Sequence, residues 1–186
     1  SPDHIDRHGS LEHYAAVKAR LFRFQEPTDV AIIGIDDALT SEICSAVCGK
    51  GTVALVPVST DKSLSRGVCV LDGVLYDSGS GKTDRVGDLK NLKTLAGLHN
   101  WQNAAAAYAA GRSLGFPADR ILYSFRSFPG LAHRMEIVAD SEGILFVNDS
   151  KATNAEAAGK ALGAYDSIYW IAGGVPKEGG INSLSP

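Results

Sequence analysis

Between Leu11 and Gln25 the apolar positions Leu11, Tyr14, Ala15, Leu21 and Phe22 recur at helical spacing, while Glu12, His13, Arg20 and Arg23 take the other side. Val30–Ile35 (VAIIGI) is a continuous apolar run, the pattern of a strand covered on both faces. Leu39–Cys48 predicts a short helix ended by Gly49, and Thr52–Val58 a second buried strand. Val68–Leu71 and Val74–Tyr76 flank Asp72-Gly73, a pair suited to the two-residue hairpin turn that requires positive φ. The alanine-rich stretch Leu98–Leu114 is a strong helix former, stopped by Gly115, Phe116 and Pro117. A shorter helix is predicted over Ala118–Phe125.

Pro129-Gly130 is the predicted domain boundary, dividing 1–129 from 130–186. Beyond it, Glu136–Asp140 and Ile144–Asn148 read as strands around Ser141-Glu142-Gly143. Thr153-Asn154-Ala155-Glu156 has the form of a capping box, which makes Thr153 the expected cap of a helix running to about Ala164. Ser167–Ala172 (SIYWIA) reads as the next buried strand. Strand, helix and strand then form a parallel, right-handed βαβ unit, and the fold class is α/β.

Composition narrows the class of partner. The chain has 186 residues, 45% hydrophobic and 21% charged, which suits one sizeable domain or two small ones and excludes disorder, collagen and a coiled coil. A net charge of −3 argues against a nucleic-acid binder that works by charge alone. No apolar run approaches the ~20 residues that span a bilayer, so no membrane insertion is expected. Three cysteines, Cys44, Cys48 and Cys69, form an odd, sparse set that suggests reduced thiols and a cytoplasmic location. The chain opens without Met in a polar cluster (Asp3, His4, Asp6, Arg7, His8) and stops just after a glycine-rich loop, as an interior slice of a longer protein would.

Several constellations bear on chemistry. Gly79-Ser80-Gly81-Lys82-Thr83 looks like the end of a phosphate loop, but Tyr76 stands where the first glycine belongs, and a hairpin precedes it; a surface turn is the expected outcome. Lys18 lies four after Tyr14 and four before Phe22, on the apolar stripe. A desolvated amine there would be driven neutral and could capture carbon dioxide as a carbamate, an oxygen ligand suited to Mg²⁺; a snorkelling lysine is the plainer reading. Asn100 and Asn103 are three apart near a helix start, placing both amides on one side, where they fit either the edge of a purine or a capping role. Asn148–Thr153 sits at a strand's carboxyl end and the next helix's amino end, the crevice where α/β sheets bind anions, with Lys177 expected at the neighbouring strand end. His99 and His133 have the chemistry of ligands, but hydrogen-bonded structural roles are the plainer reading, and Cys44 and Cys48 lack the further ligands that zinc needs.

The segments DHIDRHGSLEHYAAVKARLF, GLHNWQNAAAAYAA, FPGLAHRME, VNDSKATNAEAA and IAGGVPKEGG, in this order, resemble the Mur ligase family, the ATP-dependent amide-forming enzymes of peptidoglycan precursor synthesis. NDSKATN coupled to GLAHRME is similar to the D-glutamate-adding branch. The resemblance implies that residues 1–129 are the later part of a central ATPase-type α/β domain and that 130–186 begin a Rossmann-like amino-acid-binding domain. It implies ATP and Mg²⁺ as cofactors, UDP-N-acetylmuramoyl-L-alanine and D-glutamate as substrates, and a monomer when full length. By position, Lys18 matches the family's carbamylated lysine and His4 a metal-binding histidine, both catalytic. Asn100, Asn103, Arg134 and Asp149 match nucleotide contacts; Lys151, Thr153 and Lys177 match residues facing the incoming D-glutamate. The family's phosphate loop and Mg²⁺-binding glutamate would lie before Ser1, so the chain is expected to be inactive alone. The alternatives are a sibling or folylpolyglutamate-type ligase and a non-catalytic nucleotide-binding module.

Overall fold

The computed structural model describes residues 8–175 and 180–184. Helix α1 (Leu11–Arg23) is entered through Ser10, whose Oγ accepts from the His13 N–H at 3.1 Å. Strand β1 (Val30–Gly34) leads through helix α2 (Ala38–Lys50) to β2 (Ala54–Ser59), which pairs with it in parallel from Val30↔Ala54 to Gly34↔Val58. β3 (Val68–Leu71) joins β2 in parallel through Val58↔Val68 and Ser59↔Cys69. β4 (Val74–Asp77) and β5 (Asp84–Asp88) complete the sheet as antiparallel neighbours, giving the order β1-β2-β3-β4-β5. The approach of β3 to β2 depends on Gly67, at φ +117°, where a Cβ would run into the Pro57 carbonyl.

The VAIIGI run is apolar throughout because each face of β1 meets a different layer. Ala31 and Ile33 pack with Val47, Phe22, Ile43 and Leu55 beneath α1 and α2. Ile32 turns the other way, with Val56 and Val58, toward the larger core under helix α3 (Leu98–Ser113). Ala104, Ala105 and Ala109 are buried there, and these small side chains let α3 lie close to the sheet. Tyr108 is fully enclosed and donates its hydroxyl to Asp77 Oδ2 at 2.9 Å. Helix α4 (Ala118–Arg126) closes this layer; Ile121 and Leu122 press on Gly111 and Gly87, where a Cβ would meet them at 2.8 Å.

The hairpin at Asp72-Gly73 forms as expected, with φ of 47° and 77°. Gly79–Thr83 is the turn between β4 and β5, tied by Ser78 Oγ to Thr83 Oγ1 at 2.9 Å, and opens no helix. Beyond α4, β6 (Glu136–Ser141) and β7 (Ile144–Asn148) form an antiparallel pair, followed by helix α5 (Ala155–Leu162).

Three local expectations are corrected. α2 runs past Gly49 to Lys50 and is closed by Gly51, whose left-handed φ of 62° turns its N–H back to Cys48 O. Asn154, not Thr153, caps α5, its Oδ1 accepting from the Ala157 N–H at 2.8 Å; the Thr153 N–H instead turns back to Lys151 O at 3.0 Å. Ser167–Ala172 forms no strand, and among the described residues no parallel βαβ unit arises after β7: the run pairs with no described strand, and Tyr169 and Ile171 are 100% and 97% exposed. An apolar strand is stable only where a sheet edge and covering layers receive it.

Candidate functional site

The amino end of α3 meets the two loops that flank the β6–β7 pair. α3 begins at Gly97, φ 92°, without a side-chain cap. Three positions of helix place Asn100 and Asn103 about 60° apart around the axis, enough to separate them: Asn100 is buried in the seam, whereas Asn103 is exposed on the open side. They share one side of the helix, as their spacing predicts, but only Asn100 is covered. Nδ2 of Asn100 donates to Ala96 O at 2.9 Å and lies 3.9 Å from Met135 Sδ. With the amino group turned inward, the carbonyl oxygen is what this amide has to offer a ligand.

Across the seam, the Met135 N–H donates to Asp149 Oδ1 at 3.0 Å. His133 O accepts from the Lys151 N–H at 2.9 Å, and Asn148 Nδ2 lies 3.0 Å from His133 Nδ1. The Glu136 carboxylate takes the His133 N–H at 2.8 Å and Asn148 Nδ2 at 3.4 Å. His133 and Met135 hold φ of 63° and 46°, an unusual conformation for side-chain-bearing residues that such bonds maintain and that gathers at ligand sites. Asp149 therefore shapes the loop that carries Arg134, which is exposed beside it.

His99 lines the same seam. A Cβ on Gly97 would sit 3.1 Å from the His99 ring and 3.2 Å from Ala164, so glycine is what lets α3 approach the turn after α5. Burial pushes the His99 pKa down, the positive charges of Lys160 and Arg134 add to this, and Asp149 opposes it. Burial also raises Tyr165, with Asp149 acting in the same direction. Met135 thus links Asn100 to Asp149, with Arg134 next to it in sequence; Lys151 and Thr153 stand exposed on the loop after β7, and Asn103 is exposed on α3.

Sequence reasoning passed over Met135 and set His99 and His133 aside as structural residues. Histidine beside asparagine at a helix start was the available signal for His99. The left-handed backbone at His133 and Met135 left no trace, because neither is glycine.

Lys18 lies apart from this seam. α1 has no fully buried residue, and Lys18 is exposed with Nζ 5.4 Å from the Tyr14 ring centroid. That is the snorkelling lysine, the plainer reading of the stripe: a helix half-covered by α2 lets the long side chain reach water. His4 and Lys177 lie outside the described residues. Among the described residues no group of three or more His, Cys, Asp or Glu gathers to hold a metal ion.

Helices on both sides of a parallel-rich sheet, with a polar seam at the amino end of α3, define an α/β protein. The chain belongs to the Mur ligase family: residues 1–111 match the Mur ligase middle domain. It is 50% identical over 184 residues, 99% of its length, to a UDP-N-acetylmuramoylalanine–D-glutamate ligase of Phenylobacterium zucineum, and 50% identical over 186 residues to the protein of that name from Rhodospirillum rubrum. It spans 39% of the length of each of these relatives. Its fold superposes on a UDP-N-acetylmuramoyl-L-alanyl-D-glutamate–2,6-diaminopimelate ligase with a TM-score of 0.62 at 26% identity, over 88% of this chain and 33% of that one. No helix among the described residues is long and apolar enough to cross a membrane.

Proposed function

We propose that this chain is part of a cytoplasmic ATP-dependent ligase that joins D-glutamate to UDP-N-acetylmuramoyl-L-alanine in peptidoglycan precursor synthesis. The γ-phosphoryl group of ATP passes to the alanine carboxylate, giving an acyl phosphate and ADP. The amine of D-glutamate attacks the acyl carbon, phosphate leaves, and the amine loses a proton to give the amide. The chain contributes positioning and electrostatics. The Asn100 carbonyl accepts from the exocyclic amine of adenine, Asn103 flanks the base, and Arg134 and Asp149 meet the phosphates and ribose. Lys151, Thr153 and Lys177 receive the amino acid.

The observation that supports this reading is the seam itself: buried Asn100 rests on Met135, which Asp149 holds next to Arg134, so residues from both sides of Pro129-Gly130 meet. That arrangement suits a division at this pair, with nucleotide and amino acid brought together by closure of 1–129 on 130–186. A carbamate on Lys18 and a Mg²⁺ shared with His4 belong to the proposal by resemblance alone, and no step above runs through them. Carbon-13 NMR with labelled bicarbonate tests the carbamate: a bicarbonate-dependent carbonyl signal lost in Lys18→Arg supports it.

The activity is tested on the full-length protein by ADP release with UDP-N-acetylmuramoyl-L-alanine and a panel of amino acids. Turnover confined to D-glutamate is expected. Turnover with a different amino acid assigns a sibling activity, and nucleotide binding without turnover assigns a non-catalytic module.

A further inference from the structure

Asp36 follows β1 at its carboxyl end and has no part in the site described so far. Its carboxylate collects four donors. Oδ1 accepts from Ser59 Oγ at 2.5 Å; Oδ2 accepts from the Thr60 N–H at 2.8 Å, Thr60 Oγ1 at 2.9 Å and Gln102 Nε2 at 2.7 Å. Ser59 is completely buried, and its Oγ accepts in turn from the N–H groups of Asp61 and Lys62, each at 3.1 Å. The carboxylate is therefore fixed to the end of β2 before Gln102 reaches it. Burial pushes its pKa up, but the bonds from Ser59, Thr60 and Gln102 outweigh that and hold it below the usual carboxylate range, so it is a charged acceptor at neutral pH.

Gln102 reaches Asp36 by lying across Gly34. A Cβ on Gly34 would stand 3.1 Å from Gln102 Cδ and Nε2, so the glycine here serves clearance. Gln102 sits between Asn100 and Asn103 in a helix whose first turn has no side-chain cap. A helix entered in this way lacks the local bond that usually fixes its opening residues. The bond to Asp36 supplies that fixation from the sheet.

We propose that Asp36 is a positioning residue that acts through Gln102 to set the rotation of the first turns of α3, and with it the aim of Asn100 and Asn103 at a bound purine. The inference rests on the nucleotide reading above and adds what enforces it. Because the Asn100 carbonyl is an acceptor, a purine with an amino group at C6 is favoured over one with an oxygen there.

The test compares ATP with ITP, by titration calorimetry on the full-length protein. The ratio of their affinities does not change if a variant merely unfolds in part. Wild-type protein is expected to prefer ATP. Gln102→Leu, which loses the donor, is expected to narrow the preference by about tenfold, and Gln102→Lys, which keeps a donor for Asp36, to restore most of it. Gln102→Met, of matching length, replaces the leucine variant should that one fail to fold. An unchanged ratio in Gln102→Leu or Gln102→Met, or a lysine variant as unselective as these, overturns the role of Asp36. Wild-type protein that binds no ATP, or binds ITP equally well, overturns the nucleotide reading and this inference with it.

Discussion

The backbone N–H of Met135 donates to the Asp149 carboxylate at 3.0 Å, across fourteen positions of sequence. The bond holds Met135 at φ 46° while its sulfur rests beside Asn100. Asp149→Ala removes the acceptor and releases the turn. A loss of about 1–3 kcal/mol of stability is expected, together with weaker ATP binding. Asp149→Asn keeps an acceptor oxygen and should recover the stability but not the affinity. Urea unfolding and calorimetry on the same samples separate the two; equal losses in both variants would show that the charge has no role beyond the fold.

Asn154 and Thr153 are distinguished by which of them caps α5. Asn154→Ala should cost about 1 kcal/mol, because the Ala157 N–H loses its side-chain acceptor. Thr153→Ala should stay within about 0.5 kcal/mol. The reverse order in thermal denaturation would restore the capping-box reading of the sequence.

His99 gives the seam a pH dependence. Its pKa is lowered by burial and by the charges of Lys160 and Arg134 against that of Asp149. The folded state therefore resists protonation that the unfolded chain accepts. Stability from this residue is complete above its ordinary value of 6.5 and is lost as pH falls below it through the lower folded value. His99→Asn should flatten the acid side of the stability curve relative to wild type. Parallel curves for the two proteins would remove His99 from the account.

Tyr108 anchors α3 to β4 through Asp77. Burial, reinforced by Asp77, pushes its pKa well above the ordinary tyrosine value, so the hydroxyl remains a donor throughout the accessible pH range. Tyr108→Phe should cost about 1 kcal/mol, at the low end because Asp77 also takes the Gly79 N–H at 2.8 Å. Urea unfolding measures it, and a loss above about 3 kcal/mol would mean that the ring itself had moved.

What could be read in advance follows from range. VAIIGI announced a strand with two covered faces, and Asp72-Gly73 announced its turn, because each depends on a few adjacent residues. The spacing of Asn100 and Asn103 put both on one side of their helix, but did not show that the first is buried and the second exposed, which depends on what packs against that helix. Ser167–Ala172 has the composition of a strand, yet pairing needs a partner edge that no local pattern supplies. Asp36 left no signal at all: its donors lie 23, 24 and 66 positions away, and only folding brings them to one carboxylate.

The bare Ile168–Ile171 stretch has a practical consequence. Four β-forming side chains without charge or proline make it adhesive, the sort of segment that seeds cross-strand stacking between molecules. Concentrated samples of this polypeptide should turn cloudy from that spot first. Ile171→Lys, placed at its most water-facing apolar residue but one, should prolong clarity in light-scattering trials while leaving the melting temperature where it was.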